Sequence, residues 1–178
     1  MISIDQIKQL REITGVSISE CKKALQEANG DGTKAKEILR KRGQDFAKKR
    51  IEKEAGQGII ESYIHSGKKI GVMVELRCES DFVAKSEDFQ KLAHELCLQI
   101  AAISPEEVDE LHSSSATESR LRDEGGKESE ALFDFAVAWV LEQPWIKDES
   151  KNIKELIEEH IAKFGENIIL KRFIRYEL

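Results

Sequence analysis

The sequence lacks the features that mark membrane-spanning and secreted proteins. No run of about 20 apolar residues is present, and a helix needs about that length to cross a bilayer. The N-terminal residues MISIDQIKQL do not combine a charged start, an apolar stretch and a small-residue cleavage site. We therefore expect a cytoplasmic protein with no membrane contact.

Cysteine is scarce, and the common nucleotide-binding motifs are missing. Cys21, Cys78 and Cys97 are odd in number and widely spaced, so we expect reduced thiols rather than disulfides. Neither G-x-x-x-x-G-K-[ST] nor a G-x-G-x-x-G after a strand occurs, which argues against a GTPase or a dehydrogenase. His94 lies three residues before Cys97, but a zinc site needs about four ligands. We predict that the protein binds no metal or cofactor and is not an enzyme. His94 is expected in solvent and Cys97 in the core.

Charge is distributed unevenly along the chain, although the net charge is only −6. Residues 34–53 hold nine Lys or Arg against three acids, an excess of +6. Such a segment favours contact with nucleic acid or with an acidic protein surface. A solvated helical face is the simpler interpretation, and no Trp or Tyr lies in the segment to stack on bases.

Helical signals dominate the N-terminal residues. Ser3 with Gln6, and Ser17 with Glu20, match the capping box that marks a helix start. Three apolar stripes at helical spacing follow: Ile4, Ile7, Leu10, Ile13; Ile18, Cys21, Leu25, Ala28; and Ala35, Ile38, Leu39, the last ending at Gly43. We predict a three-helix domain at residues 1–44 and a basic linker at residues 45–57.

The hydrophobic period changes to two after residue 58. Ile70, Val72, Val74, Leu76 and Cys78 alternate with other residues, which predicts a strand with one buried face, paired in a hairpin with GIIESYIH. A helical stripe from Phe89 to Ile103 is predicted to cover that face until Ser104 and Pro105, where a short helix begins. NIILKRFIRYEL reads as a final strand, so residues 58–178 form an α+β domain with about three antiparallel strands.

Other segments receive shorter predictions. Residues 113–130 have little to bury and are expected to form a mobile excursion. ALFDFAVAWVL is predicted to be a buried helix, and EQPWIKDES a loop. A further helical stripe ends at Gly165 and consists of Ile153, Leu156, Ile157, Ile161 and Phe164.

The segment ESDFVAKSEDF joins the predicted strand to the predicted helix. In one interpretation Ser80 or Asp81 caps the helix, and Phe82 folds back toward Phe89. In the other, Phe82 projects from a rigid corner whose shape Asp81 fixes, and enters a pocket of a partner. Such an aromatic anchor typically contributes about 2–4 kcal/mol to an interface. The pattern leaves both alternatives open.

Three separated motifs resemble translation elongation factor Ts. They are LREITGVSISECKKALQEANGD with LRKRG, then VELRCESDFVAKSEDF, and finally EQPWIKD with FGENIILKRFIRYEL. The resemblance implies a ubiquitin-associated-like N-terminal bundle and an antiparallel-sheet core. It also implies that the protein is a guanine-nucleotide exchange factor for elongation factor Tu. The partner would be bound both in its GDP form and in its nucleotide-free form. Residues 113–140 depart from the family pattern.

The resemblance also assigns residues and a partner copy. The residues that it implies for disturbing the partner's magnesium and phosphate site are Ser80, Asp81, Phe82 and Val83. Those that it implies for N-terminal docking are Leu10, Arg11, Cys21, Lys22 and Lys23. The chain has the length of short family members, which implies a homodimer. No direct contact with nucleic acid is expected. The alternative function is an RNA- or ribosome-associated module that uses residues 34–53.

Overall fold

The computed structural model of the chain describes residues 2–102 and 136–178. The chain divides into two compact units, Met1–Glu54 with Ile157–Ile168, and Ala55–Leu156 with Ile169–Leu178. The domain boundaries drawn from the sequence at residues 44 and 57 stay a prediction. The predictions for Ile103 to Glu130, including the short helix and the mobile excursion, lie outside the described residues.

The first unit contains three N-terminal helices, as predicted. They are α1 (Ile4–Thr14), α2 (Ile18–Glu27) and α3 (Gly32–Arg50). Ser3 begins α1 with a complete capping box, whereas at Ser17 only the hydroxyl bond from the Glu20 N–H is formed. The bundle core consists of Leu10, Cys21, Ala24, Leu25, Ala28, Ala35 and Leu39. It contains Leu10 of the first predicted stripe, Cys21, Leu25 and Ala28 of the second, and Ala35 and Leu39 of the third.

Both ends of the first stripe and the start of the second are not buried, which corrects the sequence prediction. Ile4, Ile13 and Ile18 are all exposed. A helix turns about 100° per residue, so residues spaced by three drift about 60° at each step, and Ile4 and Ile13 project on opposite sides of α1. Ile18 is the first residue of α2. The first stripe therefore faces the other helices through Leu10, and the second through Cys21, Leu25 and Ala28.

Helix α3 does not end at Gly43, which is a second correction. It continues to Arg50, through the first part of the segment predicted as a linker. Gly43 is buried, and a Cβ there would lie only 3.1 Å from the Cβ of Ala162. The glycine therefore permits close helix packing rather than ending the helix, although it costs about 1 kcal/mol of helix propensity.

The second unit is built on the predicted hairpin. Strand β1 (Gln57–Ile64) pairs antiparallel with β2 (Ile70–Cys78), and Gln57 lies opposite Cys78. Strand β5 (Ile168–Glu177) joins the other side of β2, giving the order β1-β2-β5. The predicted antiparallel three-stranded sheet in an α+β fold is thus confirmed. Alternation in β2 buries Val72, Val74, Leu76 and Cys78.

Two helices follow β2 and cover the buried face of the sheet. They are α4 (Asp81–Ala84) and α5 (Glu87–Ala102). The predicted stripe on α5 is buried, and it consists of Phe89, Leu92, Ala93, Leu96 and Ile100. His94 is exposed and Cys97 is buried, as predicted, and burial raises the pKa of the Cys97 thiol to about 12. All three cysteines are free and buried.

The segment predicted as a loop after residue 141 forms a small hairpin instead. Residues 136–142 are helical, and β3 (Pro144–Trp145) then pairs antiparallel with β4 (Asp148–Asn152). The buried side chain of Gln99 donates to the Pro144 carbonyl at 3.1 Å and accepts from the Ile146 N–H at 2.9 Å. Because these bonds come from α5, 45 residues away in sequence for the first of them, the local pattern gave no sign of the hairpin.

The last helix, α6 (Ile153–Phe164), carries the predicted stripe and ends before Gly165, whose φ is 73°. Within the first unit, the buried Asn167 amide donates to the carbonyls of Lys53 at 2.7 Å and Ile51 at 3.4 Å. These bonds fix the backbone that follows α3. No helix in the described ranges, 2–102 and 136–178, has the length and hydropathy to cross a membrane.

Candidate partner-binding surfaces

The strand-to-helix junction forms a compact corner, here defined as residues Ser80 to Val83. Ser80 is the N-cap of α4, and its hydroxyl accepts from the Val83 N–H at 3.3 Å. The thiol of the buried Cys78 donates to the Ser80 carbonyl at 3.1 Å. Ser80 is thereby bonded to the last residue of β2 through its carbonyl and to the first turn of α4 through its hydroxyl. Of the two predicted caps, Ser80 and not Asp81 forms the cap.

The two faces of α4 differ completely in burial. Val83 and Ala84 are buried. Phe82 is 83% exposed, whereas Phe89 is fully buried. The ring of Phe82 therefore projects from the corner and does not fold back toward Phe89; its entry into a pocket of a partner stays a prediction. An apolar ring in solvent contributes nothing to the core, and it is available to a partner.

Asp81 lies beside the exposed ring and is held by an ion pair. Lys85 Nζ is 2.8 Å from Asp81 Oδ2, one helical turn along the chain. The hydrogen bond from Lys85, followed by its positive charge, lowers the pKa of Asp81 below its usual value. The corner thus presents an ionised carboxylate, a ring and an ammonium group to solvent.

Ser86 connects the corner to α5, a role that the sequence analysis missed. Its hydroxyl donates to the Val83 carbonyl at 2.8 Å and accepts from the Phe89 N–H at 3.3 Å. The signal was available, since a serine three residues before a buried helical position is a common N-cap pattern. This bridge leaves little freedom between α4 and α5.

The residues that the resemblance assigns to N-terminal docking form the N-terminal surface, and they fall into two groups. Leu10 and Cys21 are buried in the bundle core, and the Cys21 thiol donates to the Val16 carbonyl at 3.6 Å. Arg11, Lys22 and Lys23 are exposed. The buried pair shapes the surface from below, and only the three cations reach solvent.

Two apolar residues on this surface were missed as candidates because the sequence analysis placed them in the core. Ile13 and Ile18 are exposed on either side of the turn between α1 and α2. Gly15 in that turn has a φ of 67° and ends α1. The angular drift along the stripe was the signal that could have revealed Ile13. Apolar side chains flanked by cations are typical of protein-binding surfaces.

The outer face of the sheet, opposite α5, is a third exposed surface. Five large side chains are exposed there: Ile60, Ile64, Met73, Ile174 and Tyr176. Three of them, Ile60, Met73 and Ile174, line a groove of about 230 Å³. Such a row of apolar residues is unusual on a monomer surface.

A group of charges crosses the same face. Glu75 accepts from Arg77 Nε and from Arg172 Nε, both at 2.6 Å. Burial alone would raise the pKa of Glu75, but the bonds and charges of the two arginines outweigh it and keep that pKa below its usual value. Glu75 therefore stays ionised beneath two cations.

Comparison with known proteins bears on the whole chain. The family model described as "Elongation factor TS" matches residues 5–117, a range that includes the corner and the N-terminal surface. "Elongation factor Ts" of Coprothermobacter proteolyticus is 43% identical over 193 positions, covering 99% of this chain and 98% of that protein. The proteins of the same name from Moorella thermoacetica and Thermosipho melanesiensis are 43% and 44% identical, covering 96% and 98% of their own lengths. The chain belongs to the elongation factor Ts family, whose members are elongation factors of protein biosynthesis.

Proposed function

We propose that this protein is a guanine-nucleotide exchange factor for elongation factor Tu, acting in the cytoplasm without covalent chemistry of its own. The exposed ring of Phe82 is the observation that carries the proposal. A phenylalanine that is mostly exposed, on a corner with hydrogen bonds on both sides, adds little to its own fold. Family membership supports elongation factor Tu as the protein that receives the ring.

Exchange then follows from coupled binding. A factor that weakens GDP binding must itself bind less tightly when GDP is present, because one coupling free energy belongs to both equilibria. Phe82 wedges into the partner, and the displacement removes contacts of its magnesium ion and phosphates. Because magnesium holds phosphate oxygens at short distances and with strict geometry, a shift of about an ångström removes much of that stabilisation. GTP binding reverses the coupling and releases the factor.

The other corner residues have supporting roles in this proposal. Ser80 sets the direction of α4 through its cap, and Asp81 orients the corner. Val83 fastens the helix to the core through its buried side chain. Displacement of a partner's ligand shell requires a stiff wedge, and these contacts supply the stiffness.

The N-terminal surface docks on the same partner in our proposal. Arg11, Lys22 and Lys23 attract an acidic face, and Ile13 and Ile18 provide apolar contact. Exposed cations of this kind mainly raise the rate of association. Lys23 is partly neutralised by Glu20 at 2.7 Å, so Arg11 and Lys22 carry most of the effect.

A second copy of this chain is another partner in our proposal, bound through the outer face of the sheet. A symmetric interface buries the same patch from both copies, so an apolar face can cover its own duplicate. Support comes from the five exposed apolar residues and from their groove. Met73→Asp would place a charge in that face, and sedimentation at several concentrations would then show monomers where the parent shows dimers. A parent that sediments as a monomer at all concentrations contradicts this part.

The decisive test measures release of fluorescent GDP from elongation factor Tu with Phe82→Ala. We expect release to slow about a hundredfold relative to the parent, since an interface anchor contributes about 2–4 kcal/mol. Ile51→Ala is the matched control, because Ile51 is also an exposed large apolar residue and lies outside the corner. If Phe82→Ala stimulates release as well as the parent, the wedge is wrong.

The RNA-binding alternative receives less support from the side chains of α3. Arg42 pairs with Glu20 at 2.9 Å and with Glu27, and Lys34 lies 3.8 Å from Asp31. These contacts reduce the positive charge that phosphates would meet. Filter binding with RNA at two salt concentrations separates the two functions, because a phosphate-binding surface loses affinity steeply as salt rises.

A further inference from the structure

We propose that Lys85 is a positioning residue of the corner: it holds the Asp81 carboxylate beside Phe82 and keeps it paired when elongation factor Tu covers the ring. The inference rests on the proposed function, since it gives a role to a neighbour of the Phe82 wedge. It adds a residue outside the four that the resemblance assigns to the corner.

The geometry places three side chains on one side of α4. With about 100° of rotation per residue, Asp81, Lys85 and Phe82 project within about 100° of one another, away from the buried face. The side chains of Asp81 and Lys85 are 66% and 77% exposed, and their charged atoms are 2.8 Å apart. A surface that closes over the ring must therefore also close over the ion pair.

The backbone gives the Lys85 side chain a fixed origin. The Lys85 N–H donates to the Asp81 carbonyl at 3.1 Å, and the Lys85 carbonyl accepts from Gln90 Nε2 at 3.5 Å. Position 85 is thus connected to the first turn of α4 and to α5. The Lys85 ammonium group reaches the Asp81 carboxylate from this backbone position, so the ion pair needs no backbone movement.

The ion pair matters more in the complex than in the free protein. In water an exposed pair at this spacing adds little to folding stability, because both groups are well solvated alone. Under a partner surface, water is displaced, and a carboxylate without its cation loses hydration with no replacement. The Lys85 ammonium group already pairs with Asp81 in the free protein and replaces the water that the carboxylate loses. Removing Lys85 therefore weakens complex formation rather than folding.

The experiment measures fluorescent-GDP release from elongation factor Tu over a range of factor concentrations. For Lys85→Met we expect the half-saturating concentration to rise about tenfold, with a smaller change in maximal rate and an unchanged melting temperature. Lys85→Arg restores the parent value. In the double variant Asp81→Asn with Lys85→Met, the loss is smaller than the product of the two single losses, because the carboxylate is no longer left unpaired.

Lys91→Met is the matched control. Lys91 pairs with Glu87 at 3.6 Å with the same spacing on α5, in an equally exposed position, and the variant should behave as the parent. If Lys85→Met behaves as the parent while Phe82→Ala slows exchange, this inference fails alone. If the single losses multiply in the double variant, or if the melting temperature of Lys85→Met falls, Lys85 does not position Asp81. A parent-like Phe82→Ala defeats the proposed function itself.

Discussion

The corner and the N-terminal surface hold their candidate residues in opposite ways. At the corner, the apolar residue with the largest expected effect, Phe82, lies in solvent, and buried neighbours hold it in place. On the N-terminal surface, Leu10 and Cys21 are buried, and the residues that reach solvent are mainly cations. Side chains that are free of internal packing can be removed without loss of folding, whereas buried ones cannot. Function and stability are therefore separable at the corner and combined in the bundle.

The largest effect that would test this contrast is on the bundle core. Leu10→Ala should lower the free energy of unfolding by about 3 kcal/mol, since it leaves a cavity in a small core. Ile13→Ala, on the exposed side of the same helix, should change it by less than about 0.5 kcal/mol. Urea titration followed by circular dichroism measures both. A loss for Leu10→Ala as small as that for Ile13→Ala would mean that Leu10 does not contribute to the core.

A smaller effect is expected from the cap of the corner. Ser80→Ala removes the oxygen that accepts the Val83 N–H, and should cost about 1 kcal/mol of stability. Because the direction of Phe82 depends on this cap, the exchange rate should fall further than stability alone explains. Ser80→Thr keeps the hydroxyl and serves as the control. If Ser80→Ala exchanges GDP as fast as Ser80→Thr, the cap does not position the ring.

A titration compares the two regions through their carboxylates. Hydrogen bonds from Lys85 to Asp81 and from Lys23 to Glu20 lower both pKa values, so each pair is intact at neutral pH and is lost as the pH falls through the lowered value. Carboxyl chemical shifts followed by NMR should show both midpoints below the usual 3.8 and 4.5. Lys85→Met should raise only the Asp81 midpoint. An Asp81 midpoint that is the same in Lys85→Met as in the parent would show that the two side chains do not pair in solution.

The smallest effect belongs to the exposed cations. Combined Arg11→Ala and Lys22→Ala should slow association with elongation factor Tu a few-fold and flatten its salt dependence, with dissociation nearly unchanged. Stopped-flow mixing at low and high salt measures this. A change confined to dissociation would indicate direct, desolvated contacts instead of long-range attraction.

Features that depend on nearby residues were predictable from the sequence. The caps at Ser3 and Ser80 and the alternation in β2 are local patterns, and the structure contains them. Features that depend on distant residues were not predictable. From sequence alone, Gly43 is typical of a helix end, and only its contact with Ala162 explains why a glycine lies inside α3. The β3–β4 hairpin likewise depends on Gln99, which is distant in sequence.

The orientation of Phe82 was undecidable from sequence for a related reason. A buried and a projecting ring have the same local pattern, because both place one apolar residue next to Val83 and Ala84. Only the packing of α4 on the sheet and α5 decides which of the three faces inward, and Val83 and Ala84 occupy that space. The sequence therefore located the candidate site, whereas its accessibility required tertiary contacts.

The Gln99 amide has a consequence for how freely the β3–β4 hairpin can vary. Its two hydrogen bonds go to main-chain atoms, the Pro144 carbonyl and the Ile146 N–H, as those of a neighbouring strand would. They therefore depend on the backbone conformation of the hairpin and not on the side chains at residues 144 and 146. The tip of the hairpin is thus open to substitution by design or by drift, apart from Lys147, which pairs with Glu95 of α5 at 2.6 Å. Replacing the Gln99 amide with an acid would set a carboxylate against the Pro144 carbonyl and leave that ion pair to hold the hairpin on α5.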